Sequence, residues 1–131
     1  MTMVYIDAAA SANPKLAAGA VVFKEAGESL EYTIFLGEMD NHEAEWAALL
    51  FAVEKAVENR FVSLIIHTDS KVISDSFDKK FVKHPVFKRY YNKISKQMDF
   101  FQLFLVSWTP RKQNRRADEL AKETLYKHKK G

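Results

Sequence analysis

Met3-Val4-Tyr5-Ile6-Asp7 is a run of strand-forming residues that ends in a carboxylate, and the rest of the chain is arranged around it. A buried carboxylate costs several kcal/mol unless it is paired or bound to a metal, so a charge at the end of a core strand requires a partner or a function. Three further acids, Glu45, Asp69 and Asp118, occur where helix and strand patterns direct them to the same edge of a sheet. We predict that the four carboxylates meet there.

The composition is that of one compact protein domain. The chain has 131 residues, of which 47% are hydrophobic and 28% are charged, enough for a core of its own and too few for a second domain. We therefore predict a single domain over residues 1–131. The chain has no cysteine, which excludes disulfides and cysteine-based zinc sites.

Charge and the first residues bear on partners and location. The formal charge of +3 leans toward polyanionic partners, and basic residues are concentrated between residues 79 and 96 and between residues 111 and 116. The opening residues lack the features of a signal peptide, and no stretch reaches membrane-spanning length. We expect a cytoplasmic protein without a membrane partner.

The first half of the chain predicts three strands and a long helix. Strand patterns cover residues 3–7, 17–25 and 29–36, with a turn-prone segment at residues 8–15 and a hairpin turn at Ala26-Gly27. Asp40-Asn41 supplies the predicted N-cap of a helix over residues 42–59. Glu45 shares the apolar stripe of that helix, so its side chain is predicted to point toward the sheet. The other members of the stripe are small or aliphatic: Ala48, Leu49, Ala52 and Ala56.

The second half predicts two more strands and three helices. Residues 61–68 form an apolar run typical of a strand covered on both faces, and the run ends at Asp69. His67, on the same strand face as Asp69, is predicted to be a packed, hydrogen-bonded histidine. Helices over residues 70–79 and 86–98 precede a strand over residues 101–108. After a polar loop, a final helix over residues 115–128 carries Asp118 in its first turn.

The order of these elements predicts an α/β fold. The order βββαβααβα gives a five-stranded mixed sheet flanked by four helices, in which strands one to three are antiparallel and strands one, four and five are parallel. Such open sheets bind ligands at the carboxyl ends of their parallel strands. Asp7 and Asp69 are predicted to lie at that end.

The four acids, taken singly, also have purely structural interpretations. Asp7 could begin a turn, and Asp69 could cap the helix after it. Glu45 and Asp118 could complement helix dipoles. Their conjunction favours a site instead, and clustered carboxylates repel one another unless a hard cation lies between them. Mg²⁺ prefers oxygen ligands and accepts substrate phosphates, so we predict two Mg²⁺ ions, with Mn²⁺ as the alternative, acting on a phosphodiester.

Five segments of the sequence resemble ribonuclease HI. They are Tyr5-Ile6-Asp7, Asn13-Pro14, NHEAE at residues 41–45, HTDS at residues 67–70 and NRRADELA at residues 114–121. The resemblance spans nearly the whole chain and implies the ribonuclease H fold, in its short form without a basic protrusion. It also implies a two-metal endoribonuclease that hydrolyses the RNA strand of RNA/DNA hybrids and leaves 5′-phosphate and 3′-hydroxyl ends.

The resemblance assigns roles to nine positions. Four match the family's catalytic, metal-binding acids: Asp7, Glu45, Asp69 and Asp118. Five are assigned to substrate binding: Asn13, Asn41, His42, Arg111 and Asn114. We expect the RNA/DNA hybrid as partner, duplex RNA as a second candidate, and no obligate protein partner.

Two departures from the family pattern leave another function open. The family has a glycine where this chain has Ala8, and Asp40 stands where many members have a threonine that helps to hold a DNA phosphate. A carboxylate would repel that phosphate. The alternative is a catalytically weak or inactive nucleic-acid-binding module with the same fold. A 3′ to 5′ exonuclease is disfavoured, because that group carries Asp-x-Glu where this chain has Asp7-Ala8-Ala9.

Overall fold

The chain forms five strands, four α-helices and one short 3₁₀ helix over residues 1–130, the part that this computed structural model describes. The strands are β1 (Thr2–Ala12), β2 (Lys15–Glu25), β3 (Glu28–Gly37), β4 (Ser63–Thr68) and β5 (Leu103–Trp108). The helices are α1 (Asn41–Glu58), α2 (Lys71–Lys79), α3 (Pro85–Met98) and α4 (Arg115–Lys130), and the 3₁₀ helix is Arg111–Gln113.

The five strands form one mixed sheet in the order β3-β2-β1-β4-β5. The neighbours β1–β2 and β2–β3 are antiparallel, whereas β1–β4 and β4–β5 are parallel. The predicted architecture is therefore confirmed, with β1 at the centre.

Strand β1 is longer than predicted. Ala8 pairs with Gly19 and Ala12 with Lys15, so only the turn around Asn13-Pro14 remains of the loop predicted at residues 8–15. The small residues here allow α1 to approach closely, since a Cβ added at Gly19 would lie 3.1 Å from the Cβ of Ala48. The parallel pairing of β1 with β4 extends only to residue 5 of β1. The two strands diverge beyond that point, and this is where Asp7 lies.

The two faces of the sheet are covered unequally. On one face α1 and α2 pack on the strands and α3 packs on α1, over a core that includes Val4, Ile6, Leu64 and Ile66. On the other face α4 packs over β1, β2 and β3 through a cluster rich in alanine. The prediction that β4 is covered on both faces is wrong, because α4 lies over the opposite half of the sheet and leaves residues 63, 65 and 67 partly exposed.

Local signals position the helices near the carboxyl ends of the strands. The Asp40 side chain accepts a hydrogen bond from the Glu43 backbone N–H at 2.8 Å, so Asp40, of the two predicted residues, is the N-cap of α1. Ser70, rather than Asp69, caps α2, so the Asp69 carboxylate is left for other contacts.

Over the part of the chain described, no helix is both long enough and apolar enough to cross a membrane.

Candidate active site

The four predicted acids come from four different elements and converge at one edge of the sheet. Asp7 lies where β1 leaves β4, Asp69 follows β4, and Glu45 and Asp118 lie near the N-termini of α1 and α4. The charge of Asp69 acts on both Asp7 and Glu45, and Asp118 adjoins Asp7. The convergence predicted from the sequence is therefore present in the structure.

Asp7 is the most deeply placed of the four acids. Only 6% of the solvent-accessible surface of Asp7 is exposed. Burial first, and then the neighbouring charge of Asp69 and the adjoining Asp118, raise the pKa of Asp7. Burial acts on Asp118 in the same direction, but the hydrogen bonds with Lys122 and Asp7 and the positive charges of Lys122 and Arg111 together outweigh it and lower the pKa of Asp118. A proton held by this pair therefore resides on Asp7.

Glu45 is oriented by a residue that the sequence assigned to the substrate. The Asn41 side-chain amide donates a hydrogen bond to Glu45 Oε1 at 3.1 Å. Burial raises the pKa of Glu45, and the charge of Asp69 acts in the same direction. Asn41 is itself exposed, so its amide lies between the acid and the surface.

Asn114 connects two of the acids from within the fold. It is 1% exposed, and its side-chain amide donates to the backbone carbonyl of Ile6 at 2.6 Å. Its own carbonyl accepts from the Asp118 backbone N–H at 3.1 Å. Asn114 thus ties β1, one residue before Asp7, to the first turn of α4. The resemblance assigned Asn114 to substrate binding, whereas its amide here bonds to the backbone of β1. The only sequence signal for this structural role is that Asn114 stands just before a predicted helix.

His67 is packed and hydrogen-bonded, as predicted. Its Nδ1 lies 2.9 Å from Thr109 Oγ1, and its ring stacks on Tyr5 with the centroids 4.7 Å apart. Burial lowers the pKa of His67. The neutral form of His67 is therefore favoured, and its ring packs between Tyr5 and Thr109.

Buried polar atoms without a hydrogen-bond partner gather at this edge. Among the side chains of residues 1–129 they are Asp7 Oδ2, His67 Nε2, Asp69 Oδ2 and Asn114 Oδ1. Because buried polar atoms in folded proteins almost always have partners, this edge is where a ligand would complete the structure. Two of the atoms are carboxylate oxygens, the donor type that Mg²⁺ and Mn²⁺ select.

The acids are neighbours but do not form a ready-made metal cage. In the described part of the chain, no three or more acidic or histidine side chains are already arranged to hold a metal ion. Two carboxylates are engaged by cations instead. Lys122 Nζ lies 2.9 Å from Asp118 Oδ2, and Arg111 Nε lies 3.5 Å from Asp69 Oδ2. The donor chemistry fits a divalent cation, whereas ligation would require these side chains to exchange partners.

A groove lies between the β1–β2 hairpin and the start of α1. It has a volume of about 380 Å³ and is lined by Ala10, Ser11, Ala12, Lys15, Asp40 and Asn41. Asn13 is exposed in the hairpin turn, and His42 is exposed at the start of α1. Three residues predicted to bind substrate are therefore at or near this groove, and Arg111 lies beside Asp69.

Known proteins resemble this chain over most of its length. A family model described as reverse transcriptase-like matches residues 6–124. EbsB of Enterococcus faecalis, provisionally named a hydrolase, is 32% identical over 129 residues, which cover 97% of this chain and 96% of EbsB.

Two solved structures extend the similarity to the fold. Ribonuclease H1 from the halophilic archaeon Halobacterium salinarum NRC-1 matches with a TM-score of 0.89 and 27% identity, covering 96% of this chain and 98% of that one. LC11-RNase H1, solved in complex with an RNA/DNA hybrid, matches with a TM-score of 0.88 and 29% identity, covering 98% of this chain and 99% of that one. The likeness thus includes the sheet and all four helices.

Proposed function

Because this chain belongs to the reverse transcriptase-like family and has the ribonuclease H fold, we propose that it is a metal-dependent endoribonuclease that hydrolyses the RNA strand of RNA/DNA hybrids. The observation that carries this function is the convergence of four acids at the edge where buried carboxylate oxygens lack a hydrogen-bond partner. The hybrid bound to LC11-RNase H1 supports the choice of substrate.

Asp7, Glu45, Asp69 and Asp118 would hold the cations, with Mg²⁺ or Mn²⁺ as the ions of choice. When bound, two such cations supply an activated water and neutralise charge at the scissile phosphate. Asp7 must release its proton to become a ligand, so cation binding strengthens as the pH rises.

The chain's own polar groups position the substrate. Asn41 and His42 present an amide and an imidazole at the exposed start of α1, where they can recognise the 2′-hydroxyls that distinguish RNA from DNA. Arg111 is exposed beside Asp69 and can pair with a phosphate. In-line attack of water on phosphorus breaks the bond to the 3′ oxygen, which takes a proton and leaves a 3′-hydroxyl opposite a 5′-phosphate.

A second candidate function is a nucleic-acid-binding module with weak or no cleavage. Asp40 favours it, because this carboxylate lines the groove that would receive a phosphate backbone. The capped start of α1 keeps the Asp40 carboxylate in place.

Cleavage of a substrate panel distinguishes the two functions. Labelled RNA/DNA hybrid, duplex RNA and duplex DNA are incubated with the protein in Mg²⁺ or Mn²⁺, beside Asp118→Asn and the matched control Glu119→Gln. We expect cleavage of the RNA strand of the hybrid, intact duplex DNA, loss of activity in Asp118→Asn and full activity in Glu119→Gln. Binding of the hybrid without cleavage would favour the binding module, and an Asp118→Asn variant as active as the wild type would contradict the assigned site.

A further inference from the structure

A hydrogen bond joins helix α3 to α1 close in sequence to the predicted metal-binding acid Glu45. The Tyr90 hydroxyl donates a hydrogen bond to Glu43 Oε2 at 2.6 Å, and Glu43 is two residues before Glu45. Burial and this hydrogen bond raise the pKa of Tyr90, so the hydroxyl remains a donor throughout the physiological range. Trp46 packs on Phe87 one turn earlier in α3, which reinforces the contact between the helices.

A second groove lies along this helix contact. It has a volume of about 220 Å³ and is lined by Glu43, Arg89, Tyr90 and Lys93. Arg89 and Lys93 are four residues apart on α3, and therefore on the same face and about 6 Å apart along the helix axis. Both side chains are exposed.

The two cations of this groove have no carboxylate partner. With the described side chains, those of residues 1–129, neither Arg89 nor Lys93 forms an ion pair within 4.0 Å. Glu43 lines the same groove, but one of its oxygens is engaged by the Tyr90 hydroxyl. Like charges four residues apart on a helix repel each other, and a polyanion between them would remove that repulsion.

We propose that Arg89 and Lys93 hold backbone phosphates of the nucleic acid as it passes from the carboxylate edge across α3. Tyr90 is a positioning residue that keeps Glu43 from pairing with the two cations. The identity of the nucleic acid as an RNA/DNA hybrid rests on the proposed function. The ligand chemistry, a phosphodiester backbone, follows from the unpaired cations themselves.

Hybrid binding without divalent cations tests the two cations while cleavage is absent. The double variant Arg89→Gln/Lys93→Gln is compared with Lys127→Gln/Lys129→Gln, which removes the same charge from exposed positions at the far end of α4. We expect the groove variant to bind about tenfold more weakly and its slope of log K against log salt to be shallower by roughly 2, and the control to match the wild type. Equal binding by the two double variants would overturn the phosphate site.

This experiment separates the groove from the proposed activity. If the wild type binds the hybrid but does not cut it, the proposed function is rejected. The phosphate site is still supported in that case if the groove variant binds more weakly than the wild type. If the wild type cuts the hybrid and the groove variant binds it as tightly as the wild type, only the proposed phosphate site is rejected.

Neutral methylphosphonate linkages identify the phosphates that are held. They are moved one position at a time through the DNA strand and then through the RNA strand. The difference in affinity between the wild type and the groove variant should vanish when a linkage held by Arg89 or Lys93 is neutral. A difference that persists at every position of both strands would overturn the proposal.

The positioning role of Tyr90 has its own readout. Tyr90→Phe frees the Glu43 carboxylate to pair with Arg89 or Lys93, so we expect weaker hybrid binding and a smaller salt slope. Adding Glu43→Gln to Tyr90→Phe should restore both. A loss of binding that Glu43→Gln does not rescue would show that Tyr90 only stabilises the helix contact.

Discussion

Two adjacent residues of α1, Glu45 and Trp46, belong to different regions, one a cluster of acids and the other an apolar core. Trp46 is 1% exposed and packs against Phe77 of α2 and Phe87 of α3 in the core. Glu45, one residue earlier, points into the carboxylate edge, where burial raises its pKa. The core is apolar and closely packed, whereas the edge contains the four buried polar atoms that lack a hydrogen-bond partner among the side chains of residues 1–129.

This difference assigns stability and function to separate regions. Burying apolar surface stabilises the fold by about 25 cal/mol per Å². Clustered acids work against the fold through desolvation and mutual repulsion. The core therefore holds the edge in an unfavourable arrangement that a ligand would relieve, and substitutions in the two regions should have opposite consequences.

The largest expected effect is on the core. Trp46→Ala should lower the free energy of unfolding by about 3–5 kcal/mol, because it removes a large buried side chain and leaves a cavity. Urea denaturation measures the change. Trp108→Ala, at a residue that is 47% exposed, is the matched control and should cost roughly 1 kcal/mol or less. Equal losses for the two variants would break the distinction between core and surface.

The next effect is on the edge. Glu45→Gln should reduce kcat/KM for hybrid cleavage about 10²–10³-fold, which is roughly 3–4 kcal/mol of transition-state stabilisation. Its free energy of unfolding should not fall, since glutamine keeps an acceptor for Asn41 and removes a partly buried charge. Glu54→Gln, on an exposed part of the same helix, should leave activity intact. A Glu45→Gln variant that unfolds more easily while still cutting would reverse the assignment.

A smaller effect concerns the pH dependence of stability. The pKa of Asp7 is raised in the folded state, so the folded protein binds more protons than the unfolded chain once the pH exceeds the ordinary pKa of 3.8. Asp7 therefore lowers the stability progressively as the pH rises from about 4 through its raised pKa. Asp7→Asn should match the wild type near pH 4 and be more stable by about 1–2 kcal/mol at higher pH.

Denaturation over a pH series, without divalent cations, measures this difference. A constant offset between Asp7→Asn and the wild type at every pH would contradict the account of Asp7. Adding Mn²⁺ should stabilise the wild type and have no such effect on Asp7→Asn, because one ligand is lost.

The smallest effect concerns the groove at the start of α1. Asp40→Asn keeps an acceptor for the Glu43 N–H but removes a charge that faces the phosphate path, so the hybrid should bind about two- to fivefold more tightly. Stability should change by less than about 0.5 kcal/mol. Fluorescence anisotropy with a labelled hybrid measures the affinity. Unchanged or weaker binding would mean that Asp40 does not face the phosphates.

Local patterns made most of the fold predictable. The stripes of α1 and α4, the Asp40 cap and the hairpin at Ala26-Gly27 depend on residues close in sequence, and each is present in the structure. The extension of β1 was missed because alanine is a poor strand former, and Ala8 to Ala12 become a strand only by pairing with β2. Coverage of β4 was also missed, since it depends on where α4 packs.

The acids of the site were predictable because each stands at or near the end of an element. The contacts that surround the acids were harder to predict, because several of them join distant parts of the chain. Asn114 bonds to the Ile6 carbonyl across 108 positions, and Tyr90 bonds to Glu43 across 47. The Asn41–Glu45 hydrogen bond and the Lys122–Asp118 ion pair, each at a spacing of four, are contacts that a helix pattern could have indicated.

Asp69→Asn, assayed in one preparation for both hybrid cleavage and unfolding, is the most direct test of the division between core and edge. The expected result is a loss of cleavage of at least about 10²-fold in Mg²⁺, with a free energy of unfolding equal to or above that of the wild type. Wild-type cleavage by Asp69→Asn, or a loss of activity that merely follows a loss of folded protein, would contradict the account.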